Sequence, residues 1–141
     1  MKVFDMFEMV HTVPDWYDGP RRGIADFQGR PHLFESEWQD GEDVHANTYL
    51  LMPIDEETFA LALEDWVIWL RWEVAFKQGK TSRNTHPLLP EDEHRHREVE
   101  QLLNVPLVID PARATRKKAE FRARHDPDKG VHALEVCWKD A

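Results

Sequence analysis

Ile24-Ala25-Asp26-Phe27-Gln28-Gly29-Arg30-Pro31-His32-Leu33-Phe34-Glu35-Ser36-Glu37-Trp38 is the stretch that decides the fold class. Two runs rich in apolar residues flank Gln28-Gly29-Arg30-Pro31, and glycine between two such runs is hairpin chemistry. In the second run Phe34 and Trp38 fall on one face and Glu35 and Glu37 on the other. That period of two describes a strand with one wet side.

Upstream, Trp16-Tyr17-Asp18-Gly19-Pro20 is a turn, because Asp-Gly followed by Pro cannot continue a regular element. Residues 3–13 before it are read as a strand. Downstream, residues 39–43 form an acidic loop and residues 47–54 another strand. Asp55 then caps a helix, with Glu56 and Glu57 in its first turn, where the helix dipole favours acids. Its apolar residues run from Phe59 to Phe76, and its polar stripe is thin: Glu57, Glu64, Arg71 and Gln78, seven residues apart. Lys77 and Gly79 end it. A second, charged helix runs from Pro90 to about Leu103. Residues 119–124 and 134–139 alternate in a period of two about a turn at 126–130, giving a last hairpin.

This order predicts an α+β fold. A largely antiparallel sheet of about five or six strands, from the N-terminal strands and hairpin plus the C-terminal hairpin, is packed by a long central apolar helix and a second charged helix. With 141 residues and 41% hydrophobic residues, the chain is expected to form a single domain over 1–141.

The net charge is −9. It is uneven: residues 1–110 carry ten Lys and Arg against 22 Asp and Glu, whereas residues 111–141 carry eight against five. An acidic body repels phosphate backbones, which argues against general nucleic-acid binding. The basic outer face of the last hairpin is expected to pair with the acidic outer face of the first. Cys137 is the single cysteine, so no intrachain disulfide forms. No basic start with an apolar run opens the chain, and no apolar run reaches membrane-spanning length; both favour a cytoplasmic location without membrane association.

Three constellations invite a function. The first hairpin and its turn hold Tyr17, Asp18, Arg21, Arg22, Asp26, His32 and Glu35. A histidine beside carboxylates suits acid–base work, with His32 as base and Asp26 or Glu35 orienting it. Arg21 and Arg22 suit an anion clamp, because a guanidinium fork matches carboxylate and phosphate. Solvated charges on a strand face are the simpler explanation of the same residues. Next, Trp69 and Trp72, one turn apart on the long helix, would line a small-molecule pocket or an interface; core packing is the commoner use of such a stripe. Lastly, His94 and His96 stand among acids at helical spacing, but i, i+4 acid–base pairs stabilise an exposed helix without any metal, so neither metal nor cofactor is expected.

No nucleophile motif or phosphate loop is present. The leading expectation is a non-catalytic binding or interaction protein, acidic and tryptophan-rich, whose partner is a second copy or another protein. The alternative is a small metal-independent enzyme of hydrolase or lyase type, built on the first hairpin.

Overall fold

The computed structural model describes residues 6–39, 44–124 and 133–141, with the side chains of 38, 39 and 44–46 left aside. Of the expected acidic loop at 39–43, Gln39 ends β3 and residues 40–43 lie outside the described residues, as do the turn expected at 126–130 and the facing of Trp38. The strands are β1 (Glu8–Trp16), β2 (Pro20–Phe27), β3 (Arg30–Gln39), β4 (Val44–Pro53), β5 (Thr115–Ala123) and β6 (Leu134–Asp140). Between β4 and β5 come α1 (Glu56–Lys77), two short 3-10 turns, and α2 (Glu93–Leu103). The fold is α+β with an antiparallel sheet.

The sheet is not open. Every strand pairs antiparallel with its neighbour, and β6 returns to β1 through Glu8–Val136, Met9–Glu135 and Val10–Leu134. The result is a closed six-stranded barrel. Contacts divide the chain into two compact units: the barrel, Met1–Asp55 with Ile109–Ala141, and the helices, Glu56–Val108.

Side chains fill the barrel, as they must in so small a ring of strands. Val10, Ala25, Phe34, Tyr49, Leu51, Ala119, Leu134 and Val136 form its core, and Val13, Phe27, Phe121 and Trp138 pack against them. Phe34, Tyr49, Phe121 and Trp138 meet edge-on or tilted at centroid distances of 5.5–6.0 Å, the arrangement favoured by the ring quadrupole. The two polar ends in this cluster are satisfied: Tyr49 Oη donates to Pro20 O at 2.7 Å and Trp138 Nε1 to Asp26 O at 2.9 Å. On the opposite face, Ile24, Leu33 and Met52 form a cross-strand row and are also buried. Clean wet-side alternation therefore fails over the middle of β2–β4.

Local chemistry sets the turns. Asp18 and Gly19 take φ of 53° and 117°, and Arg21 braces them by donating from Nε to Tyr17 O at 2.7 Å and from Nη2 to Asp18 O at 2.6 Å. Gln28 and Gly29 make the two-residue β2–β3 turn with φ of 56° and 77°. Both of their N–H groups donate to the Glu8 carboxylate, at 3.1 and 2.8 Å. Where β1 shifts register around Thr12, Thr12 Oγ1 accepts from Ile24 N at 3.0 Å, and a Cβ on Gly23 would stand 2.0 Å from Thr12 O.

In the helical unit, Gly79 (φ 71°) ends α1. Its N–H donates to Phe76 O at 3.1 Å and that of Lys80 to Ala75 O at 2.8 Å, the paired bonds of a Schellman cap. Polar contacts join α1 to α2 and to Asp92, the residue just before it. Arg71 bonds both oxygens of Asp92, and Arg95 both oxygens of Glu64. His96 Nδ1 lies 2.6 Å from Asp65 Oδ1.

Gly23→Ala is expected to destabilise the barrel by about 2 kcal/mol or more, because the obstacle is backbone and cannot rotate away. Urea unfolding followed by far-UV circular dichroism measures it. An unchanged midpoint would contradict this close approach.

Candidate functional site

Strand register decides how the first hairpin presents its polar residues. Asp26 stands opposite Pro31, and His32 opposite Ala25. Ala25 is in the barrel core, so His32 projects from the core-facing side of β3 and Asp26 from the outer side of β2. Glu35 is also on the outer side, opposite Arg22, with Arg22 Nε 3.9 Å from Glu35 Oε1. The expected acid–base set is thus divided between two faces of one sheet.

Each member has a local partner. His32 Nδ1 lies 2.8 Å from Arg30 O; a carbonyl only accepts, so Nδ1 carries the proton. Its ring stands edge-on to Phe27 at 5.3 Å. Asp26 Oδ1 is 2.9 Å from Nε2 of His11, which the sequence reading passed over. The signal for that pair was available: residues 11 and 26 are equally spaced about the Asp18-Gly19 turn, which places them across one hairpin. The expected anion clamp is also divided. Arg21 braces the turn through the carbonyls of Tyr17 and Asp18, whereas Arg22 faces Glu35. Tyr17 itself is largely exposed. Burial pushes the Tyr49 phenol above its ordinary range, with nearby Arg21 opposing.

The tryptophans of α1 serve the helical unit. Trp72 is buried, stacks on Phe76 at 5.1 Å, meets His86 edge-on at 4.6 Å, and donates from Nε1 to Thr85 Oγ1 at 2.8 Å. Trp69 stacks on Trp66 at 5.0 Å. The large apolar residues exposed on α1 are valines instead: Val67 is 44% exposed and Val74 53%. With Leu70, Ala75 and Leu89 they line a shallow groove of ≈ 370 Å³, edged by Arg71 and Lys80. These positions repeat at helical spacing on one stripe, a pattern partly hidden in the sequence by the larger tryptophans beside it.

The last hairpin pairs largely with itself. Lys117 meets Asp140, Arg122 meets Glu135 and Lys139 meets Glu120. Arg116, 2.5 Å from Glu37, is a contact of the expected kind to the first hairpin. Cys137 is buried. Among the described residues, no group of three or more His, Cys, Asp and Glu is arranged to hold a metal, and no helix is long and apolar enough to cross a membrane. No protein-family model, curated protein or solved structure matches the chain.

The Arg95 hydrogen bond holds the Glu64 carboxyl below its ordinary value of 4.5. A carboxylate depressed in the folded state stabilises it above that ordinary value, and the contribution is lost as pH falls through the lower, folded value. Glu64→Gln should therefore melt below the parent protein at neutral pH, by a small margin because the pair is largely exposed. The two melting curves should converge as the solution is acidified well below 4.5. A gap that persists in acid would assign the loss to packing instead.

Proposed function

We propose that this chain is a non-catalytic interaction protein that associates with a second copy of itself through the valine stripe of α1. The observation that carries the reading is the exposure of Val67 and Val74 in one apolar groove. Apolar side chains gathered on one stripe of a charged surface favour removal from water. A two-fold dimer sets identical stripes against each other, so a single self-complementary patch suffices. The separation of His32 from Asp26 and Glu35 supports the same preference, since it leaves the expected base without its expected carboxylates.

A second reading, the small metal-independent hydrolase or lyase, has one observation in its favour. Asp26 holds an imidazole at 2.9 Å, the carboxylate–histidine contact that orients a general base. The imidazole is that of His11, which would then take the role expected of His32.

Light scattering on the purified protein over a range of concentrations distinguishes them. The parent should run at twice the monomer mass, and Val74→Asp should run as a folded monomer with an unchanged far-UV circular dichroism spectrum. A parent that stays monomeric at the highest concentration would remove the interaction reading.

A further inference from the structure

The barrel mouth beside the β2–β3 turn gathers groups that neither reading uses together. His32 lies opposite the core residue Ala25, and Lys117 opposite the core residue Tyr49. Both therefore project from the core-facing side of their strands. The Phe27 ring, itself packed on the core, joins them: it is edge-on to His32 at 5.3 Å, and Lys117 Nζ stands 5.7 Å from its centroid. The Lys117 side chain is 22% exposed, whereas that of Asp140, its ion-pair partner at 2.9 Å, is 99% exposed. A partly buried ammonium over an aromatic ring needs an anion. Here the counterion is a carboxylate almost wholly in water, and solvent competes strongly for such a group.

We infer that Lys117, Phe27 and His32 form a binding site for a small organic carboxylate with an apolar body, which takes the place of the Asp140 carboxylate on Lys117. The acid group meets the ammonium, the body meets the Phe27 ring, and His32 Nε2 becomes a second donor when the imidazole is protonated. Asp140 itself shows the chemistry that fits: one carboxylate oxygen on one ammonium. Phosphate is best held by clustered backbone N–H groups or arginine forks, and the N–H groups of the adjacent turn, of Gln28 and Gly29, are already taken by Glu8. The site is independent of the dimer reading, which rests on α1.

Benzoate is the probe, titrated into the ¹⁵N-labelled full chain and followed by NMR. Saturable shifts at the amides of Phe27, His32 and Lys117 are expected. Asp140→Asn removes the competing carboxylate from an exposed position and should bind benzoate about two- to fivefold tighter, the range of exposed ion pairs. Lys117→Met should abolish binding while leaving the barrel folded; if it unfolds the protein, the Asp140→Asn comparison decides alone. Three results would overturn the inference: unmoved amides in both parent and Asp140→Asn, an Asp140→Asn affinity no tighter than the parent's, or inorganic phosphate binding the same amides more tightly than benzoate does.

Discussion

The structure depends on the seam between β1 and β6. Three residue pairs, from Glu8–Val136 to Val10–Leu134, turn a curved sheet into a ring. Without closure, the strands at the two ends would present unpaired N–H and C=O groups, and Phe34, Tyr49, Phe121 and Trp138 would share no enclosed interior. With it, one face of every strand becomes inside, and the backbone polar groups find partners around the ring. The Gly23 contact with Thr12 O belongs to the same constraint, since the register shift in β1 helps a twisted strand bend around a tight barrel.

Local elements were the legible part of the sequence. Glu56 and Glu57 fill the first turn of α1 and Gly79 ends it, as expected, and Gln28-Gly29 makes the expected hairpin turn. Closure was not legible, because the pairing of residue 8 with residue 136 leaves no mark in any local window. β1 was weakly readable for a related reason: its register shifts break a clean period of two.

The candidate site was less legible, and parity explains why. Asp26 and His32 are close in sequence, but a two-residue turn pairs 25 with 32 and 26 with 31, so the side chains leave the sheet on opposite sides. Proximity suggested a cluster where alternation forbade one. The same rule places Lys117, which reads as one more cation in a basic strand, on the aromatic side of β5. The charge asymmetry was expected to be met by the first hairpin, yet among the described residues Lys117, Arg122 and Lys139 find carboxylates within the last hairpin itself.

The placement of the helices between β4 and β5 has a consequence for how the chain folds. Those strands are neighbours in the barrel, yet residues 56–108 separate them in sequence. Closing so long a connection costs about 2 kcal/mol more in chain entropy than closing a four-residue hairpin. Left as coil, it would make β4–β5 pairing a late and slow step. The helices have a compact unit of their own, stapled by Arg71–Asp92 and Arg95–Glu64. Helix formation there would shorten the effective loop, so the rate at which the barrel closes would depend on residues that belong to none of its strands.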